Sequence, residues 1–212
     1  LESSFSSYLS NPKEELAATT IGNYALFAGG EYYWSSYTYP TTVDTYNDSL
    51  TKSTATSLGT GRSQLAATTV GNYALFGGGF QYSSNRYSIV DTYTSSLTKS
   101  TATSLSTARD NLAATTVGNY ALFGGGGSSS GWSSSVDTYT SSLTKSTATS
   151  LSQARFDLAA TTVGNYALFG GGDISSSPYV TSTVDAYNSS LSRSTATSLS
   201  TARDNLAATT VG

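Results

Sequence analysis

Aromatic side chains are the residues of this chain best suited to recognition chemistry, and they are concentrated in short variable stretches. The stretch from Glu31 to Pro40 alone carries five aromatic rings. Tyr and Trp interspersed with Ser and Gly make adaptable recognition surfaces, as in antibody loops, and flat rings beside hydroxyl groups suit stacking against sugars. The alternative is packing over strand edges, because tyrosine is common at half-buried β positions. The candidate ligand-binding aromatics are Tyr32, Tyr33, Trp34, Tyr37, Tyr39, Tyr82, Tyr87, Trp132 and Tyr179.

Arginine recurs at one fixed position and is the second candidate ligand-binding group. A guanidinium offers several donors in a rigid fork, so a ring of arginines beside aromatic loops would form a binding face. Their regular recurrence favours a structural role instead, in local pairs with Asp110, Asp157 or Asp204. The arginines concerned are Arg62, Arg109, Arg155 and Arg203.

The composition excludes several kinds of site. The chain has no Cys and no His, which removes disulfides, thiolate chemistry and the commonest general base and metal ligand. No acidic pair stands out from the rest, and we expect neither an enzyme, nor a cofactor, nor a metal site. A net charge of −3 argues against nucleic acid as a partner, since binding DNA or RNA needs a positively charged face. No apolar run is long enough for a transmembrane helix.

These candidate residues lie within a sequence that repeats along the chain. The string LAATT recurs every 46 to 49 residues, and a period of 20–50 residues indicates a repeat architecture. Charged residues recur with it: Asp44, Asp91, Asp137 and Asp185 occupy one equivalent position, for which a turn or inter-repeat hydrogen bond is the expected role. The five copies of LAATT begin at Leu16, Leu65, Leu112, Leu158 and Leu206.

One repeat predicts four short antiparallel strands. In the third copy, residues 112–118 alternate small and β-branched side chains, Gly118-Asn119 forms a tight turn, and 120–123 form a second strand. A third strand is predicted over 136–139 and a fourth over 143–151. Four such strands without helical periodicity are typical of a β-propeller blade, and the small first strand suits the crowded axis.

The order of these features resembles the kelch repeat. Arg109, the run Tyr120-Ala-Leu-Phe-Gly-Gly125 and Val136-Asp-Thr-Tyr139 carry the resemblance, although Ser146 stands where the family has a Trp. It implies an all-β, kelch-like β-propeller of four-stranded antiparallel blades, with four complete repeats plus a split partial one. The predicted units are 1–15 (the fourth strand of a preceding blade), 16–64, 65–111, 112–157 and 158–205 (blade repeats 1 to 4), and 206–212 (the first strand of a further blade).

Length changes among repeats are confined to the loop between the second and third strands, and insertions on one face of a repeat protein often mark its binding face. In a four-stranded blade this loop shares a face with the connection to the next blade, which carries the arginines. The constant scaffold and variable loops predict a non-catalytic binding or assembly module, with a carbohydrate or protein partner. The alternatives are a structural or engineered repeat without a ligand and a protein-interacting segment of a larger propeller.

The composition of the chain adds two further expectations. A Ser/Thr-rich, Cys-free chain favours an extracellular, cell-surface or virus-particle setting. The sequence contains no Met, which favours a fragment or processed segment; a homo-oligomer formed through open terminal blade edges is the alternative.

Overall fold

The computed structural model describes residues 8–82 and 85–210, and within these ranges every regular element is a β-strand. Four four-stranded antiparallel sheets follow one another along the chain, one inside each predicted repeat, and three of the connecting loops form small hairpins of their own. The predicted all-β propeller of four-stranded blades is confirmed.

The four blades share one plan. Blade 1 contains β1 (Ala17–Ile21), β2 (Tyr24–Ala28), the hairpin β3 (Tyr32–Tyr33) and β4 (Tyr37–Thr38), β5 (Val43–Asn47) and β6 (Lys52–Ala55). Blade 2 contains β7 (Ala66–Val70), β8 (Tyr73–Gly77), the hairpin β9 (Phe80–Gln81) and β10 (Asn85–Arg86), β11 (Val90–Tyr93) and β12 (Lys99–Ala102). Blade 3 contains β13 (Ala113–Val117), β14 (Tyr120–Gly124), the hairpin β15 (Gly127–Ser128) and β16 (Gly131–Trp132), β17 (Val136–Thr140) and β18 (Lys145–Thr147). Blade 4 contains β19 (Ala159–Val163), β20 (Tyr166–Gly170), β21 (Val184–Asn188) and β22 (Arg193–Ala196).

Turn chemistry sets the register of each blade. In blade 3, Gly118 has a φ of 54°, a left-handed conformation that glycine adopts at little cost, and Val117 faces Tyr120 across the resulting two-residue turn. The first three strands match their predicted extents within about one residue. The fourth is shorter than predicted, because Leu143 has a φ of 61° within the preceding turn and Leu151 leaves the sheet to enter the core.

The core lies between blades. Each cluster joins the apolar face of one blade to an Ala, a Phe and a Tyr of the next; Phe123 and Tyr139, for example, enter the cluster built around Val90 and Leu105 of blade 2. Their rings meet edge to face at 5.9 Å, and the Tyr139 hydroxyl donates to the carbonyl of Thr103 at 2.7 Å. Complete burial of one such ring contributes about 1.5–3 kcal/mol, so neighbouring blades stabilise one another.

Threonine hydroxyls connect the innermost strands. Thr68 and Thr116 share a hydrogen bond of 2.8 Å, and Thr116 also donates to the carbonyl of Thr69 at 2.5 Å. Equivalent threonines link β1 to β7 and β13 to β19. Only small side chains permit this approach, which agrees with the predicted place of the first strand beside the axis.

The described residues closest to the two ends, 8–15 and 206–210, contain less regular structure. Residues 1–7, predicted as part of a fourth strand, and residues 211–212 lie outside the described residues. Residues 8–15 contribute the isolated bridge between Glu14 and Glu31. Residues 206–210 form no regular strand, since no described residue pairs with them as β2 pairs with β1, but Thr210 donates to the carbonyl of Thr162 at 2.7 Å.

Candidate functional site

The loops between second and third strands lie beside the connections between blades, as predicted. Each loop forms a two-way backbone bridge with the preceding connection: Glu31 with Glu14, Phe80 with Ser63, Gly127 with Asp110 and Asp173 with Phe156. Because both segments are backbone-bonded, they form one continuous surface, which we call the loop face. The bridge residues differ in every blade, so the chemistry of the loop face changes from blade to blade.

The first two loops form an aromatic cleft. Tyr33, Ser36, Tyr37 and Tyr82 line a cavity of about 500 Å³. The Tyr37 and Tyr82 rings are nearly parallel, with centroids 5.4 Å apart and an angle of 17°, and Tyr33 meets Tyr37 edge to face at 5.1 Å. Trp34 lies at the tip of the same hairpin and is 89% exposed. Exposed aromatic rings that are gathered into one patch often mark an interaction site.

Hydrogen bonds hold the base of this cleft. The Tyr39 hydroxyl accepts from the backbone N–H of Tyr82 at 2.8 Å, and burial raises the pKa of Tyr39 to about 12, so the hydroxyl remains protonated at neutral pH. Tyr87 donates to Gln81 at 2.7 Å. These two tyrosines therefore position the loops, whereas the rings above them face solvent.

The remaining predicted aromatics do not join this cleft as a single group. Tyr32 is half-buried on β3. Trp132 is half-buried in blade 3 and packs on Phe156 at 5.4 Å, while Tyr179 is exposed on the loop of blade 4. The predicted aromatic set is thus divided among the four loops.

Three of the four arginines of the predicted ring are removed from the protein surface. Arg62, Arg109 and Arg155 are completely buried, and each guanidinium is bonded to an aspartate and to backbone carbonyls. Arg109, for example, lies 2.5 Å from Asp137 and donates to the carbonyls of Gly125 and Ser135 at 2.8 Å. Arg203, the fourth member, is exposed and donates to the carbonyl of Thr201.

The expected local pairing of these arginines with Asp110, Asp157 or Asp204 is wrong. Arg62, Arg109 and Arg155 pair with Asp91, Asp137 and Asp185 on the third strand of the following blade. A second cation from the fourth strand contacts the same carboxylate; Lys145, for example, lies 3.0 Å from Asp137. The recurring aspartates therefore bond one repeat to the next, which is the inter-repeat role expected for them.

Blade 1 uses a lysine in the same arrangement. Lys13 and Lys52 both lie 3.4 Å from Asp44, and the backbone N–H of Ser10 donates to that carboxylate at 3.1 Å. Burial alone would raise the pKa of Asp44, but the Ser10 hydrogen bonds and the two lysines hold it below its usual value.

A polar cavity at the axis escaped the sequence analysis. The residue before each LAATT leucine lines a cavity of about 520 Å³. Successive members are joined through the backbone, as where the N–H of Asn111 donates to the carbonyl of Gln64 at 3.0 Å. The sequence did carry an indication of this cavity, because the position before each LAATT string always holds a carboxyl or amide side chain. These residues are Glu15, Gln64, Asn111, Asp157 and Asn205.

Negative charge accumulates at this axial cavity. Burial raises the pKa of Asp157 to about 6, reinforced by the charges of Asp204, Asp173, Asp110 and Glu15. Burial also raises the pKa of Glu15. Among the described residues, no group of three or more carboxylates is arranged to bind a metal ion.

The ion pair between Arg86 and Asp110 also escaped the sequence analysis, which considered Asp110 only as a partner of the repeated arginines. Arg86 Nε donates to Asp110 Oδ1 at 2.8 Å, beside Trp132. The signal was that Arg86 is the one basic residue within the variable loop sequences.

Comparison with known proteins supplies the fold and no more. No protein-family model and no curated protein matches the chain. Its fold is similar to that of YjhT, a solved structure that superposes with a TM-score of 0.72 over 92% of this chain and 68% of that chain, at 11% sequence identity. The part of the chain that the structure describes holds no helix of the length and hydrophobicity required to cross a bilayer. The chain is thus an all-β propeller of repeated four-stranded blades, a fold suited to binding or scaffolding.

Proposed function

We propose that this protein is a non-catalytic carbohydrate-binding module of kelch-repeat type that engages its ligand through the loop face. The observation that carries the proposal is the aromatic cleft of Tyr33, Tyr37 and Tyr82, with Trp34 exposed beside it. Sugars combine a face of C–H groups with an edge of hydroxyls, so aromatic rings with polar rims are complementary to them.

The electrostatics of the loop face support a neutral ligand. Three of the four candidate arginines, Arg62, Arg109 and Arg155, are held in buried pairs and are not available to an anionic group. Arg86 is bonded to Asp110. A ligand at the cleft would therefore gain from stacking and hydroxyl hydrogen bonds rather than from opposite charge.

Hydrogen bonds around the cleft support a role in recognition over a loose surface role. Tyr39 and Tyr87 fix the loops by hydrogen bonds, and each loop is bridged to a blade connection. Loops held in one conformation lose less entropy when a ligand binds.

The test is a broad glycan array probed with the purified chain, its Tyr37→Ala and Trp34→Ala variants, and Tyr166→Ala as matched control. Tyr37 and Tyr166 are similarly exposed, at 46% and 48%, but Tyr166 follows the turn between first and second strands, away from the loop face. We expect a defined set of glycans whose binding falls at least tenfold in both cleft variants and not in Tyr166→Ala.

A blank array, or equal losses in all three variants, would contradict this function. Specific capture of a protein partner that depends on the same rings would support the alternative of a protein-interaction module. Loss of stability alone in the cleft variants would favour a structural repeat.

A further inference from the structure

A second cavity, of about 250 Å³, lies on the loop face between blades 2 and 3. Its walls combine the ion pair of Arg86 and Asp110 with Ser128, Trp132 and Phe156. It is smaller than the 300–1,000 Å³ typical of sites for drug-sized ligands, so a single small ring suits its volume.

Glycine creates this cavity. Gly127 occupies the bridge position that carries a large side chain in the other blades, namely Glu31, Phe80 or Asp173. A Cβ atom at Gly127 would lie 2.8 Å from Asp110 Oδ1 and 3.8 Å from the guanidinium of Arg86. In blade 3 the Asp110 carboxylate therefore lines the cavity with no side chain of residue 127 over it.

The polar wall presents acceptors and donors in a fixed arrangement. The Asp110 side chain is only 7% exposed, and its Oδ1 accepts from Arg86 Nε at 2.8 Å. None of the described residues donates a hydrogen bond to Asp110 Oδ2. Ser128 lies alongside, and its hydroxyl donates to the carbonyl of Gly131 at 2.8 Å.

The apolar wall is aromatic. The Trp132 indole packs on Phe156 at 5.4 Å with a tilt of 36°, and Trp132 as a whole is half-buried. An indole, a carboxylate and a guanidinium that line one cavity offer an apolar surface and hydrogen-bonding groups to the same ligand.

We infer that this cavity binds one pyranose ring of a neutral sugar. Trp132 packs against the C–H face of the sugar, and Asp110 accepts hydrogen bonds from its hydroxyl groups. Arg86 donates to a ring or hydroxyl oxygen. The inference rests on the proposed function and assigns a distinct subsite within the loop face. A carboxylated sugar is disfavoured, because Arg86 is already paired and Asp157 and Asp173 add negative charge nearby.

The two tryptophans of the chain make this subsite directly measurable. In a Trp34→Phe background, Trp132 is the remaining indole, and its fluorescence reports on the cavity. We would titrate this protein with the methyl pyranosides of glucose, galactose, mannose and N-acetylglucosamine, and with methyl glucuronide. We expect a saturable emission change with at least one neutral pyranoside and at least tenfold weaker binding of the glucuronide.

Two variants and one matched control test the assigned residues. Asp110→Asn removes the charged acceptor, and Gly127→Ala places a methyl group against Asp110 Oδ1. Each should weaken binding at least tenfold in the Trp34→Phe background. Asp204→Asn changes the same repeat position at blade 4, away from the cavity, and should leave affinity unchanged. Thermal melts confirm folding, and Gly127→Ala decides the matter if Asp110→Asn does not fold.

The failures are distinguishable. A glycan array that is positive and dependent on Tyr37, with Trp132 emission unchanged by every pyranoside, would overturn the subsite and leave the proposed function in place. Saturable binding that both variants retain, or preference for the glucuronide, would also overturn it. A blank array together with a silent Trp132 would remove both.

Discussion

Arg62 Nη1 lies 2.9 Å from Asp91 Oδ2, and both side chains are buried. Arg62 belongs to the connection between blades 1 and 2, whereas Asp91 belongs to the third strand of blade 2. Equivalent pairs join Arg109 to Asp137 and Arg155 to Asp185. Burial lowers the pKa of Arg109, and the adjacent Asp137 opposes that shift. The pairs attach each connection, and with it the loop face, to the blade that follows.

Removal of one arginine should therefore destabilise the fold. In Arg109→Met, Asp137 keeps Lys145 and the backbone N–H of Ser106 as partners, so we expect the lower part of the range for a broken buried pair, about 3 kcal/mol. Arg203→Met changes an exposed arginine at the same repeat position and should cost about 0.5 kcal/mol or less. Urea unfolding followed by circular dichroism measures both, and equal losses would contradict a structural role for the buried pairs.

Close packing between blades gives a second prediction. A Cβ atom at Gly124 would lie 2.7 Å from the Phe169 ring, whereas at Gly170, the equivalent position of blade 4, the nearest atom is Val184 Cγ2 at 3.5 Å. Gly124→Ala should destabilise by about 1–2 kcal/mol through overpacking, near the lower value because Ala28 occupies this position in blade 1. Gly170→Ala should be close to neutral in the same unfolding measurement. A Gly124→Ala protein as stable as the parent would mean that the Phe169 ring moves freely.

The strands and their order follow from the sequence because they depend on local chemistry. Glycine turns, β-branched runs and glycine pairs act within a few residues, and the repeat displays each signal four or five times. The fourth strand was overestimated because Leu143 reads as a strand residue but has a positive φ in the turn. A leucine side chain gives no indication of a left-handed backbone conformation.

The candidate site depends on contacts between residues that are distant in the sequence, and these contacts could not be predicted from it. Arg109 is adjacent to Asp110 in the chain but pairs with Asp137, 28 residues away, because the packing of the connection on its blade decides which carboxylate is reachable. The cavity beside Trp132 depends on which residue faces Asp110 across the bridge, and that register appears only when the loop folds back. Aromatic loops could thus be identified, whereas their division into a cleft and a separate cavity could not.

The axial cavity gives a pH prediction. The pKa of Asp157 rises from 3.8 to about 6 on folding, so the folded chain holds this proton more tightly than the unfolded chain. The contribution of Asp157 to the free energy of unfolding therefore increases as the pH falls from 7 through 6, and it levels off near pH 4. At pH 7, Asp157→Asn should stabilise by about 1–2 kcal/mol, a value reduced from the full shift for partial solvent screening.

Comparison of the variant with the parent isolates that contribution. The advantage of Asp157→Asn should shrink between pH 7 and pH 4 in thermal or urea unfolding. Asp48→Asn, which removes one exposed negative charge, serves as the matched control, and the trend for Asp157→Asn is measured relative to it. An advantage for Asp157→Asn that is constant with pH would contradict the raised pKa.

Salt dependence distinguishes stacking from charge as the basis of recognition. The buried arginines cannot reach a ligand, and Arg86 is neutralised by Asp110, so binding at the loop face should be nearly independent of ionic strength. We expect the Kd for an array-identified glycan to change by less than about twofold between about 0.05 M and 0.5 M NaCl, because screening acts on charge interactions. Arg203→Gln, which removes an exposed guanidinium, should leave the Kd unchanged. A several-fold weakening in salt, or loss of affinity in Arg203→Gln, would instead identify the ligand as an anion bound by exposed charge.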